Sequence, residues 1–335
     1  TSDQVDVNIN VTEKSTGSIM FGAGLSSAEG IVLGVTVNQN NFLGTGNRVS
    51  AQINTGKVNT VYSLSYTDPY YTPDGISRAF NVYRRDVDTT SLGTGTYKTS
   101  SYGAGVSFGV PLNERDSVSA GITFDYTDVS LDASSPVQYK QYCGSSQALG
   151  CSNYSWMLNL GWAHDTRDNT LFPNEGEHQR VLAEIGLPGL DLEYYKLEYK
   201  HAWYQPINKY VTLMLNGELG YGDSYGSRDY PYFKHFYVGG VNSVRGYDTS
   251  AIGPYIAANG TNAGYFEGGT KRAVGNIEVF FPVPGLKDSS QFRLSAFLDM
   301  GDVWKSDQSM SFGDLRYSAG AGVAWYSPFG PIKLV

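Results

Sequence analysis

The chain has 335 residues, with 24 basic against 32 acidic side chains for a net charge of −8; only 17% of residues are charged and 14% are aromatic. Its 40 glycines and 26 tyrosines, about 12% and about 8% of the chain, are too many for long helical bundles. No stretch approaches the ~20 apolar residues of a membrane-spanning helix. The glycines keep no collagen period, and the acidic balance argues against a nucleic-acid partner.

The chain opens at Thr1 with no Met and no signal peptide, as expected of a piece excised from a longer precursor. In Asp3–Glu13, Val5, Val7, Ile9 and Val11 alternate with Asp6, Asn8, Asn10 and Thr12, a strand pattern. The break at Glu13-Lys14-Ser15-Thr16-Gly17 favours its being the last strand of a preceding soluble domain. A first barrel strand is the alternative.

From Gly17 onward, segments of about ten residues alternate apolar and polar side chains, the length and period of a tilted membrane-spanning strand. They are expected near residues 17–25, 30–40, 47–57, 58–67, 76–87, 98–110, 117–128, 154–165, 177–187, 191–203, 209–222, 272–281, 291–301 and 315–326. A last one begins at Gly330 and is cut short at Val335. The alternation places Trp156, Leu158, Leu213, Leu215, Phe292 and Leu294 toward lipid. Short connections rich in turn formers (Asn41–Gly46, Asp68–Gly75, Pro111–Asp116, Gln205–Lys209, Pro282–Ser289, Ser327–Pro331) contrast with long polar ones (Asp88–Tyr97, Val129–Asn153, Gly222–Lys271, Asp302–Asp314). Short periplasmic turns facing long extracellular loops are the outer-membrane pattern, whereas a soluble sandwich or propeller has connections of more even length. The fold class is therefore all-β, a transmembrane antiparallel β-barrel.

Cys143 and Cys151 lie close together among Gly, Ser and Gln. A loop disulfide formed in an oxidising compartment is the plain reading, and two free thiols the alternative, since spacing does not determine geometry. The histidines, His164, His178, His201 and His235, are scattered outside any metal or nucleophile motif, so no catalytic residue, metal or cofactor is expected.

The connection at 222–271 is too long for an ordinary loop. It carries Val244-Arg245-Gly246-Tyr247, an arginine among glycine and aromatic residues, which indicates a loop folded back into the lumen. A buried guanidinium needs an anionic partner. Glu278 alternates with Ile277 and Val279, and Asp299 with Leu298, so both acids face the lumen; they are either that partner or ordinary lumen polar residues.

These residues resemble the signatures of the POTRA-plus-barrel translocon and insertase superfamily. Val244-Arg245-Gly246-Tyr247 is similar to its VRGF/Y motif, and Phe297-Leu298-Asp299-Met300-Gly301 to its F-x-D-x-G motif. Asp165-Thr166-Arg167-Asp168-Asn169 with Phe172-Pro173 and Gly176 is similar to its turn motif, and Gly330-Pro331 after Ser327-Pro328 to its late hairpin. The resemblance implies that residues 1–14 end the last POTRA domain and that 15–335 form a barrel of about sixteen strands, of which about fifteen are present. It also implies that Arg245 packs against Glu278 and Asp299, and that the strand lacking at the end closes the family's barrels.

The function it implies is a non-enzymatic insertase of the Gram-negative outer membrane. Its partners would be nascent outer-membrane proteins, accessory assembly lipoproteins, periplasmic chaperones, the bilayer and lipopolysaccharide. The seam strand, with Gly17, Ser18, Phe21, Gly22, Gly24 and Leu25, is glycine-rich and expected to open as a template for an incoming strand, unless its glycines only relieve crowding. A barrel exporting a partner polypeptide is the rival reading. An outer-membrane protease or lipase lacks its clustered triad in the sequence, and a passive porin would not carry a loop built as a plug. Arg245→Ala is expected to be more damaging than Lys234→Ala.

Overall fold

The computed structural model describes residues 15–26, 29–170, 172–258, 264–283, 292–327 and 330–335. The expected end of a preceding domain, residues 1–14, lies outside them.

Strands β1 (Gly17–Ser26), β2 (Gly30–Gln39), β3 (Arg48–Thr55), β4 (Asn59–Asp68), β5 (Ser77–Asp88), β6 (Lys98–Pro111) and β7 (Asp116–Ser130) run antiparallel in sequence order. After helix α1 (Val137–Tyr142) come β8 (Gly150–Asp165), β9 (Gly176–Gly186), β10 (Tyr194–Pro206) and β11 (Thr212–Ser224). A two-stranded hairpin, β12 (Tyr255–Ile256) and β13 (Tyr265–Phe266), sits within the long loop. The wall resumes with β14 (Lys271–Phe281), β15 (Phe292–Trp304), β16 (Arg316–Ser327) and β17 (Gly330–Leu334). All but the hairpin form one sheet of 15 strands, each paired to its sequence neighbours, with β11 beside β14. The expected segments match these strands to within a few residues, because a period of two over about ten residues is a local signal that survives tertiary context. No helix among the described residues is long and apolar enough to cross a membrane.

The sheet is inside-out relative to a soluble protein. Many of its buried side chains are polar, among them Asn153, Ser155, Thr212, Glu218, Asn276, Glu278, Ser295 and Asp299. Many of the large side chains it exposes are apolar: Leu64, Val82, Trp156, Leu160, Leu197, Leu215, Leu219, Ile277 and Leu298 are each more than a third exposed. That inversion is what lipid outside and a polar lumen inside require. Spin labels at Trp156, Leu158, Leu213, Leu215, Phe292 and Leu294 are accordingly expected to be reached by lipid-soluble quenchers; protection of most of them would contradict this facing.

Two expected loop boundaries move. The ladder between β7 and β8 runs on to Val129↔Cys151 and Ser130↔Gly150, so the 129–153 connection shrinks to a segment containing α1. Polar residues at the strand ends pair as well as apolar ones, which hid this extension from a hydropathy reading. Cys143 and Cys151 are disulfide-bonded, with Cα atoms 5.3 Å apart, but Cys151 is a strand residue, so the bond ties the end of α1 to β8 rather than closing a free loop. Above it, Tyr97, Val129, Leu131, Tyr139, Tyr232 and Tyr265 form an apolar cluster in which the rings of Tyr139 and Tyr232 stack at 3.8 Å.

The two ends of the sheet differ from its middle. Among the described residues β1 pairs with β2 alone and β17 with β16 alone. Ile19, Met20 and Phe21 are 63%, 53% and 80% exposed, so consecutive residues of β1 are uncovered on both faces.

Candidate functional site: the lumen loop and its clamp

Pairing between β14 and β15 builds the floor of the site. Asn276 lies opposite Asp299 and Glu278 opposite Phe297 on adjacent same-face positions, so four side chains converge on one patch of the lumen wall. Arg245 enters this patch from the long loop. Its Nε and Nη2 donate to the two oxygens of Asp299 at 2.6 and 2.7 Å, and Nη1 donates to Glu278 Oε2 at 2.9 Å. The Arg245 main-chain N–H adds a bond to Asp299 Oδ2 at 3.0 Å. The guanidinium lies 3.5 Å from the centre of the Phe297 ring. Arg245, Glu278 and Asp299 are 3%, 1% and 0% exposed, so the charges are removed from water and depend on one another. Burial works against the guanidinium's charge, but Asp299 and Glu278 outweigh it and hold its pKa above the ordinary value.

The flanking motif residues have separate tasks. Val244, fully buried, packs with Phe236, Val238, Ile252, Val274 and Val303. A Cβ on Gly301 would stand 3.0 Å from both the Ala273 carbonyl and Val244, so glycine there is what lets the loop reach the wall. Gly246 turns the chain at φ +83°, a left-handed conformation that glycine adopts without strain. Tyr247 then packs against the apolar cluster and donates its hydroxyl to the Tyr317 carbonyl.

All three expected charged members thus come together. Asn276 went unnoticed in the sequence although it bridges the site: its Nδ2 donates to Asp299 Oδ1 at 2.9 Å and to the Ser243 carbonyl at 2.7 Å. Its position two residues before Glu278 on the same face was the signal available. Lys333 on β17 was also unmarked; its Nζ stands 3.5 Å from Glu278 Oε2, so the carboxylate that holds the loop also touches the sheet's last strand.

Lys234 is not a solvated loop residue: its Nζ donates to Glu184 Oε1 on β9 at 2.7 Å. The turn motif also does more than turn. Asp168 and Asn169 cap it through the main-chain N–H groups of Asn174 and Phe172, at 2.8 and 3.0 Å. Arg293 of β15 grips it from another part of the wall, donating to the carbonyls of Pro173 and Phe172 at 2.9 and 3.0 Å and to Asn174 Oδ1 at 2.6 Å. Three of the four histidines are held by ordinary structural bonds: His164 by Asp116, His201 by Glu177, and His235 by the Glu267 carbonyl, each at 2.9 Å.

A polar-lined barrel whose lumen is occupied by one of its own loops, locked by a buried arginine, defines an outer-membrane β-barrel with a lumen-docked loop. The Omp85 superfamily domain matches residues 41–335, and the chain belongs to the Omp85 superfamily. It is 36% identical to the outer membrane protein assembly factor BamA of Neisseria meningitidis serogroup B, over 99% of this chain and 46% of that protein. The chain therefore spans about half the length of this curated relative. The crystal structure of Haemophilus ducreyi BamA lacking POTRA domains 1–3 superposes with a TM-score of 0.88 at 27% identity, over 96% of this chain and 66% of that one. CdiB from Acinetobacter baumannii shares the fold at a TM-score of 0.55 and 14% identity, over 92% of this chain and 53% of that one. The chain is an outer-membrane protein.

Proposed function

We propose that the chain is the barrel of an insertase that folds other β-barrel proteins into the Gram-negative outer membrane. The observation that carries this reading is the likeness, over nearly the whole chain, to proteins named as outer membrane protein assembly factors. The activity needs no covalent chemistry and makes no enzyme of the chain. It exchanges backbone hydrogen bonds at a sheet edge for equivalent bonds to an incoming strand.

The seam between β1 and the strand facing it is the proposed entry. Three features support that choice. β1 pairs with β2 alone among the described residues. Both faces of β1 are open, and a Cβ on Gly22 or Gly24 would meet nothing within 4 Å, so these two glycines do not relieve crowding. Backbone bonds rather than side-chain packing therefore carry the pairing of Gly17, Ser18, Phe21, Gly22 and Gly24, and the ladder runs on through Leu25. The Arg245 clamp keeps the lumen filled while the seam works, which weighs against export through the lumen. The partners proposed are unfolded barrel precursors, with accessory lipoproteins and periplasmic chaperones delivering them, and the surrounding lipopolysaccharide and phospholipid.

Reconstitution tests the reading. Vesicles holding the full-length protein are expected to fold a urea-denatured outer-membrane barrel severalfold faster than empty vesicles of the same lipid. Equal rates, with accessory partners supplied, would overturn it.

A further inference from the structure

Arg245 is not the loop's only charged anchor. Eleven residues earlier in the same loop, Lys234 ends the 3-10 turn Tyr232–Lys234 and meets another stretch of wall. Its Nζ donates to Glu184 Oε1 at 2.7 Å and lies 5.3 Å from the centre of the Tyr194 ring. Tyr194, on β10 and fully buried, donates its hydroxyl to the same Glu184 oxygen at 2.5 Å. The Lys234 main chain is also fixed: its N–H donates to the Pro231 carbonyl at 2.8 Å, and its carbonyl accepts from the Tyr230 hydroxyl at 3.3 Å.

The two anchors share no partner. Arg245 uses Asp299, Glu278 and Phe297 on β14 and β15, whereas Lys234 uses Glu184 on β9 and Tyr194 on β10. Strands β10 and β11 separate β9 from β14 in the sheet. Between the anchors runs a short segment centred on Val238, itself 1% exposed and paired with Ile252. A segment pinned at both ends to different strands resists withdrawal even when one end is freed. Burial opposes the ammonium, but the charge of Glu184 outweighs it and holds the Lys234 pKa well above its usual range.

We propose that Lys234 is a second positioning residue of the lumen loop: its ion pair with Glu184 docks the first limb on β9 independently of the Arg245 clamp, making the loop a strut between two parts of the wall. As a role in assembly, this rests on the insertase reading; as a statement about the loop, it does not.

The test reads the loop directly in the full-length protein. Both native cysteines are disulfide-bonded, so a Val238→Cys thiol is the sole reactive one in this chain. In wild-type background it is expected to react slowly with a membrane-impermeant maleimide. Lys234→Met should raise the rate about tenfold or more, the scale of one lost hydrogen bond to a charged group. Lys234→Glu should do the same, and the exchange Lys234→Glu with Glu184→Lys should return the rate to within about threefold of the original, since the Tyr194 hydroxyl serves either orientation. Unheated gel mobility identifies folded barrels, and Lys234→Gln replaces Lys234→Met if that variant does not fold. An unchanged rate in the folded variant, or an exchange that fails to restore slow labelling, would overturn the proposal. Failure of wild-type protein to accelerate barrel folding, with labelling as expected, would remove only the insertase reading.

Discussion

Arg245→Ala is expected to release the lumen loop and to impair assembly more than any single substitution at an exposed basic residue. The change strands Asp299 and Glu278, 0% and 1% exposed, without their cation. Breaking a buried ion pair in this way costs about 3–5 kcal/mol, enough to shift the docked loop from nearly always bound to often free. The proper reference is Lys209→Ala, in the exposed turn between β10 and β11, and not Lys234→Ala, because Lys234 is itself an anchor. Arg245→Lys should fall between, since an ammonium cannot span both oxygens of Asp299 and Glu278 at once. Proteolysis within 225–270 and the rate of barrel insertion are the two measurements. If Arg245→Ala and Lys209→Ala behave alike, Arg245 does not lock the loop.

A disulfide engineered across the seam should abolish insertion while leaving the barrel folded. Ser18 and Phe21 on β1 are the positions to use, joined in the full-length protein to the strand that faces them; Phe21 is 80% exposed and free of packing that a cysteine would disturb. The background should carry serines at Cys143 and Cys151, so that reduction acts on the engineered bond alone. Activity is expected to be lost when oxidised and recovered on reduction. Opening costs little in the presence of substrate, because every backbone bond broken at the edge is remade with the incoming strand. Full activity in the oxidised state would exclude lateral entry and favour passage through the lumen.

Much of this architecture was legible without coordinates, and the reason is locality. The parity of Leu213, Leu215 and Leu219 against Thr212 and Glu218 states which face meets lipid, because successive side chains of a strand point to opposite sides. The same parity placed Glu278 and Asp299 in the lumen, where both are buried beneath Arg245. Strand ends were less legible. β7 and β8 extend past their apolar cores into polar rungs that pair through the backbone, and α1 is too short to show a helical period.

By itself the sequence determined the class of fold, the count and facing of the wall strands, the loop that fills the lumen and the acids available to hold it. These follow from a period of two and from the cost of burying an unpaired charge. Tertiary structure alone decided which wall each loop side chain meets. Lys234 on Glu184, Arg293 on the Phe172–Asn174 turn, and Lys333 beside Glu278 join residues from 50 to 121 positions apart. No periodicity along the chain encodes such contacts, because they depend on how far the sheet has curled and on the height at which each strand stops. Curling of the wall, and the loop folding back against it, bring these partners within reach.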